Sequence, residues 1–501
     1  MSLVKRNVIA NVVGKLWVAG INFAVLPVYA RLLGLEAYGL VGLFASIQVL
    51  LMLMDFGLSP TLALGLARLS VDRAVRAQEM RDLVMTLSGV FVASGVICGG
   101  ALAVLAPTIA VHWVHAEHLP PATVWHAIAL MGVVVAVQWP SSLFLSGLTG
   151  LQQQVTSNQL QVGAAVARAA TALLILSQAS RTIEAFFVCQ AANSVVFTII
   201  SFGLLQRHLP KAAHRGRLRM AVLQNHWRFA TGMALISILS VILMQADKII
   251  LSRQLSLSAY GAYSLAASAA SAAALLVGPA LTAFYPRYCQ LAAIADQRKL
   301  AEFYHNSCQL IAVVALPPTM LLVGFSYDVM HVWTGDIHLS RSVASVLTLL
   351  AIGYGLNALV SAAYSLQLAH EWTSLTLTLN AVVVVVVLPT LYFVAAKFGV
   401  RGVAATWIGI NFFSFTVNVQ LMHRRILRGE LGRWYLIDVG IPVLTCVMVA
   451  VLGQLLPDAT SRLGAAAKLA GLGTAAAIGI VIAAPTTRKQ LEYLIAASDA
   501  K

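Results

Sequence analysis

The sequence predicts an all-α polytopic membrane protein of about fourteen transmembrane helices, in two pseudo-symmetric six-helix lobes plus two extra C-terminal helices. Three observations predict it. The composition is too apolar for a soluble domain, the basic residues concentrate on alternate loops, and one sixteen-residue segment is written twice.

The 501-residue chain is 59% hydrophobic and 10% charged, with mean hydropathy +0.84, whereas soluble domains carry about 25% charged residues. A net charge of +15 would suggest nucleic acid in a soluble chain. Here it asks which side of a membrane the cations occupy. The five cysteines (Cys98, Cys189, Cys289, Cys308, Cys446) are scattered with no CxxC pair, so neither a disulfide framework nor a zinc site is indicated.

Runs of about 20 apolar residues place span 1 at 8–30, span 2 at 39–64, span 3 at 82–108 and span 4 at 123–148. The N-terminus is basic like that of a signal peptide. Its apolar run continues past Lys15 to about residue 30, which suits an uncleaved first span. Spans 5 and 6 form a close pair at 158–178 and 184–206. Spans 7 to 9 follow at 229–250, 258–283 and 305–326. Spans 10 and 11 are a second close pair, at 343–368 and 373–396, before span 12 at 401–422, span 13 at 435–455 and span 14 at 465–484. The organisation read from these runs is an N-lobe over 1–207, a linker over 208–228, a C-lobe over 229–423, and spans 13 and 14 with a tail over 424–501.

Lys and Arg orient the chain. With a cytoplasmic N-terminus, the even-numbered loops and both tails hold 22 of the 33 basic residues, the opposite loops hold seven, and four fall within spans. A miscounted helix would swap the sides from that point on and blur the bias. The expectation is a bacterial inner (cytoplasmic) membrane protein, multi-pass, with both termini cytoplasmic. The basic stretch "RHLPKAAHRGRLRMAVLQNHWR" reads as a surface-lying helix attracted to anionic membrane lipid, not as a nucleic-acid site.

"RLLGLEAYGLVGLFAS" at 31–46 is echoed by "RQLSLSAYGAYSLAAS" at 253–268, with nine of sixteen positions identical at an offset of 222. Arg181 and Arg401 repeat at an offset of 220. Six spans separate the copies, and an even number preserves orientation, so the lobes read as parallel repeats about an axis along the membrane normal.

Charges inside spans are the candidate functional residues, because each costs roughly 2.5–3.5 kcal/mol at the bilayer centre on insertion scales. Lys15 and Asp55 each lie about 16 residues, roughly 24 Å, from the outer ends of antiparallel spans 1 and 2. They are placed either as a structural ion pair or as the lining of a water-filled cavity. Arg168 lies near the middle of span 5, where its planar guanidinium suits phosphate or carboxylate recognition. A structural bond to backbone or Asn is the alternative.

Asp247 and Lys248 lie toward the outer end of span 7. Lys248 is long enough to snorkel to the interface, and Asp247 is not. Arg31 and Arg253 close the outer rim of the two lobes, as helix anchors to lipid phosphate or as transport residues. His112, His115 and His118, beside Glu117, fan round a helix at their spacing rather than converge on a metal. The sequence carries no P-loop, GxSxG or HExxH motif, and no outer loop longer than about 16 residues, so catalysis by this chain lacks support.

Several stretches resemble one family. "NVIANVVGKLWVAGINFAVLPVYARLLGLEAYG", followed by "DFGLS", then "ADKIILSRQLSLSAYGAYSLA" and "AKFGVRGVAATWIG", are similar in order and spacing to polysaccharide-transport flippases of the Wzx type in the MOP exporter superfamily. The resemblance covers most of 1–425. It implies movement of an undecaprenyl-type, polyprenyl-pyrophosphate-linked oligosaccharide (an O-antigen or exopolysaccharide repeat unit) from the cytoplasmic to the periplasmic leaflet by alternating access. No cofactor is implied. H+ or Na+ is the expected coupling ion if a gradient drives the step, and polysaccharide polymerase machinery is the expected protein partner. An ion-coupled multidrug exporter or a peptidoglycan-precursor flippase of the same superfamily is the alternative, and a membrane glycan polymerase or ligase the remote one.

Overall fold

The computed structural model describes residues 3–51, 55, 58–70, 75–212, 214, 216–217, 241–242, 244–294, 296–457, 459 and 461–484. Among these the chain is helical almost throughout, and eleven helices are long and apolar enough to cross a membrane. Spans 1, 3, 4, 5 and 6 correspond to helices Leu3–Leu33, Ala77–His112, Pro121–Gly150, Gln154–Leu174 and Ile183–His208. The later ones include Gln297–Gly324, Ile337–Ala369, Ile441–Leu455 and Arg462–Ala483.

Three places separate this count from fourteen. Span 2 is two shorter helices, Leu35–Leu51 and Leu58–Leu69, with Asp55 in a 3-10 turn between them. Most of span 7 lies outside the described residues. Spans 11 and 12 share one helical stretch, Thr373–Phe413, whose backbone leaves helical geometry at Gly399 (φ 59°, ψ −149°). That conformation is essentially reserved for glycine, so the residue divides two helices. The close-pair readings hold at spans 5 and 6, which Ser180 to Thr182 separate.

Helix starts follow side-chain capping. Thr182 accepts from the Ala185 amide, Asp336 from Leu339 and Ser461 from Gly464, each satisfying an amide that a first turn leaves unpaired. Inside span 2, Pro60 sits in the first turn of Leu58–Leu69, where a missing N–H is harmless.

The chain packs as two compact units, Met1–Gly261 and Ala262–Lys501. In the first unit, spans 2, 3, 4 and 6 share a core containing Leu62, Leu66, Val84, Phe91, Leu143 and Leu205. Spans 3 and 4 approach through Gly99 and Gly132, since a β-carbon on either would strike the other's carbonyl oxygen. Both copies of the tyrosine-glycine motif are buried here. Tyr38 and Tyr260 are almost fully enclosed, and the Ser46 and Tyr260 hydroxyls are 3.2 Å apart. A β-carbon on Gly39 would strike the Leu257 carbonyl, and one on Gly261 would strike the Leu35 carbonyl. The two contacts repeat at the offset of the sequence echo, as a local two-fold relation requires.

In the second unit, residues of spans 13 and 14 join the same core as spans 9 and 10: Trp434, Cys446, Leu472 and Ile480 cluster with Tyr304, Leu316 and Leu366. Val104, Val385, Phe393 and Leu455 are exposed, as side chains facing lipid would be.

The linker is described only over its first part. Residues 209–217, where described, are not helical, so the expected surface-lying helix is not formed there. Asp82, at the start of span 3, accepts from the Arg217 amide (2.9 Å), and Arg81 donates to the Pro210 carbonyl (2.9 Å). Backbone captured in this way cannot also close helical hydrogen bonds. Residues 218–228 of the stretch lie outside the described residues.

Candidate functional site

The interruption of span 2 positions the site. Asp55 stands between the two helices and its Oδ1 accepts from the Ser59 amide (2.9 Å), which fixes the carboxylate at the helix start. Around it lies a cavity of about 380 Å³ lined by Gln48, Asp55, Ser59, Val135, Gln138, Trp139, Ser141 and Ser142. Interrupted helices are tolerated at membrane depth where they line such a hollow.

The amides are held by one another. Gln48 Nε2 donates to Gln138 Oε1 (3.4 Å), and Ser194 of span 6 donates to the same oxygen (3.3 Å). Trp139 donates its indole N–H to Ser94 (3.1 Å) and stacks on Phe91 at 5.9 Å. Ser146 donates to the Ser59 carbonyl (2.6 Å). The lining therefore offers one carboxylate, two amides, three hydroxyls and an indole. Such a set suits a ligand rich in hydroxyl groups, with a few polar groups fixing its orientation against apolar walls.

The other sequence candidates fall in different places. Lys15 lies on the first helix, and its side chain, with the expected pairing to Asp55, lies outside the described residues. Arg168 is half-buried on span 5, with its guanidinium 5.9 Å from the Phe197 ring centre on span 6. One turn on, Thr171 accepts from the Asn193 amide (2.9 Å). Asp247 and Lys248 are half-buried on the described part of span 7, and Arg31 is exposed at the end of its helix. Arg253 stacks over Trp113 at 5.3 Å, and Trp113 donates to Ser252 (3.0 Å). Of the six sequence candidates whose side chains are described, the cavity thus gathers one, Asp55.

Of the three histidines only His112 is helical, because the helix ends there, so the expected fan round one helix does not form. His112 meets its own helix at the Thr108 carbonyl (3.3 Å), whereas His118 pairs with Glu36 (3.3 Å). Glu36 also accepts from the amides of Glu117, His118 and Leu119. That carboxylate tethers the turn between spans 3 and 4.

Sequence reasoning missed Gln48, Gln138 and Ser194. The signal was a glutamine inside each of two apolar runs, "ASIQVLL" and "VAVQWPS", which lacks a charge and so escapes a search for expensive residues.

Comparison with known proteins supplies the relatives. A family model described as "Polysaccharide biosynthesis protein" matches residues 4–292. A Shigella flexneri protein described as "Putative O-antigen transporter" is 25% identical over 181 residues, which is 36% of this chain and 42% of that protein. The match therefore spans less than half the length of that relative. Among solved structures, an inward-facing multidrug resistance MATE family transporter of the MOP superfamily aligns with TM-score 0.65 and 13% identity, over 83% of this chain and 98% of its own. The lipid II flippase MurJ, inward closed, aligns with TM-score 0.63 and 10% identity, over 92% and 98%. At these identities the two structures establish a shared fold.

Proposed function

The chain belongs to the polysaccharide biosynthesis protein family, and from that premise we propose that it is a flippase for a lipid-linked oligosaccharide. The substrate would be a polyprenyl-pyrophosphate-linked repeat unit, carried from the cytoplasmic to the periplasmic leaflet by alternating access. The observation that carries this reading is the cavity at the interrupted span 2, where Asp55, Gln48, Gln138 and serine hydroxyls offer donors and acceptors for sugar hydroxyls. The lining is acidic, so the pyrophosphate would be met elsewhere, by cations such as Arg168 and Lys15. The lipid tail would remain in the bilayer.

The test is a deletion strain. It should accumulate lipid-linked glycan on the inner leaflet and lose surface polysaccharide, with recovery on expression of the intact chain. Unaltered glycans would overturn the proposal.

A second reading is an ion-coupled multidrug exporter of the same fold, favoured by the carboxylate that stands alone among the charged groups of the lining. A lone anion suits a cationic drug better than a pyrophosphate. Drug sensitivity on deletion, with glycans unchanged, would select it. A peptidoglycan-precursor flippase would instead announce itself by lysis on depletion.

A further inference from the structure

In the second unit, far along the chain from the cavity, a histidine is enclosed between two acids. His305, on span 9, is fully buried. Its Nδ1 meets Asp438 Oδ2, and its Nε2 meets Glu430 Oε2 at 3.0 Å. Asp438 is itself fully buried, and its other oxygen accepts from Gln309 (2.8 Å), one turn beyond His305. Asp438 sits in the π-helical segment Trp434–Gly440 that opens span 13. Such segments insert one residue into a helix and recur at functional sites.

Hydrogen-bond stereochemistry sets the proton count. An ionised carboxylate only accepts, and a neutral imidazole has one N–H and one bare nitrogen. Two ring nitrogens facing two carboxyl groups therefore need two protons between them. Either the ring is an imidazolium, or one acid is protonated and donates to the bare nitrogen. Remove one proton and two lone pairs oppose each other across one contact. Asp438 cannot leave, because it is enclosed and held by Gln309. Glu430, one-third exposed on the connection between spans 12 and 13, can turn to water.

We propose that His305, Asp438 and Glu430 form a proton-binding site, filled from the aqueous side through Glu430, whose occupancy holds the span 12–13 connection against span 9. The other charged and titratable groups around the site fit one extra positive charge. Arg433 Nη1 is 4.0 Å from Glu430 and offsets the second carboxylate. His423, on the neighbouring helix Val419–Arg425, bonds its own Val419 carbonyl through Nδ1 (2.9 Å), and its Nε2 has no partner among the described residues. The Tyr304 ring lies between His305 and His423, at 5.6 and 5.4 Å. Cys308 and, from helix Val277–Ile294, Tyr288 also lie close to Asp438. The proposal does not depend on which molecule the chain transports.

The test is amide hydrogen exchange of the whole protein in nanodiscs from about pH 5 to about pH 8, the range in which histidine changes charge, corrected for intrinsic base catalysis. In the unmodified chain, exchange over residues 426–433 should step up by about tenfold as the proton leaves, the size expected for one charge-assisted hydrogen bond. Glu430→Gln should abolish the step and keep exchange low, because the amide can donate to the bare Nε2. His305→Gln should also lack the step, with exchange high throughout. A step of equal size in Glu430→Gln, or none in the unmodified chain, overturns the proposal. The Glu430 variant changes a partly exposed side chain, and the unmodified profile decides the matter alone if His305→Gln fails to reach the membrane.

Discussion

Gly39 and Leu257 are packed so closely that a β-carbon on the glycine would collide with the leucine's carbonyl oxygen, and Gly261 and Leu35 repeat the relation. This is the physical content of the tyrosine-glycine echo. Each copy supplies the missing side chain that lets the other's backbone approach.

Substitution there should therefore be costly. Gly39→Ala and Gly261→Ala should each destabilise the protein by about 1–3 kcal/mol, the range for overpacking. Thermal unfolding in detergent would show the loss as a lower midpoint. Gly100→Ala is the control, since nothing lies within 4 Å of its added carbon.

Asp55→Asn retains an oxygen for the Ser59 amide and removes only the charge. It should reach the membrane in normal amount yet lower export, read as surface polysaccharide relative to the unmodified strain. Gln138→Ala should lower export further, because it frees both Gln48 and Ser194 from their shared acceptor. Full export by both variants would remove the cavity from the transport route.

Arg168→Lys and Arg168→Ala separate charge from shape. If the cation meets a pyrophosphate, the lysine variant should keep part of the export that the alanine variant loses, since lysine binds phosphate as a point charge. Equal, unimpaired export would restrict Arg168 to its contact with Phe197.

Glu36→Ala should release the turn between spans 3 and 4. Three backbone donors and His118 lose their acceptor. Limited proteolysis of the purified protein should then cut near residues 115–119 faster than in the unmodified protein, with the rest of the fold intact.

At the other end, Asp82→Ala should free the start of the linker. Asp82 is buried and holds both the Arg217 amide and the Gln78 side chain at 2.9 Å. Loss of a buried, charge-assisted acceptor costs about 1.5–3 kcal/mol, seen as faster amide exchange over residues 209–217.

Much of the helical scaffold was legible because its causes are local. Apolar runs mark helices by length, but the run over 39–64 reads as one span although "LMLMDFGLSP" combines an acid, a glycine and a proline where the structure divides it. The site was less legible. Gln48 and Gln138 are neutral and lie 90 residues apart in sequence. His305 and Asp438 are separated by 133, and a histidine near a span's end carries no mark of its partner. Spans 13 and 14 resembled an appendage in sequence, because only packing reveals a shared core.

That shared core has a consequence for biogenesis. Trp434, Leu472 and Ile480 leave the ribosome more than a hundred residues after Tyr304, yet they complete the interior begun by Tyr288 and Tyr304. The second unit can assume its final form only once spans 13 and 14 have been made. A message truncated after codon 425 would leave an unfilled greasy seam, the kind of defect that membrane quality control recognises and removes.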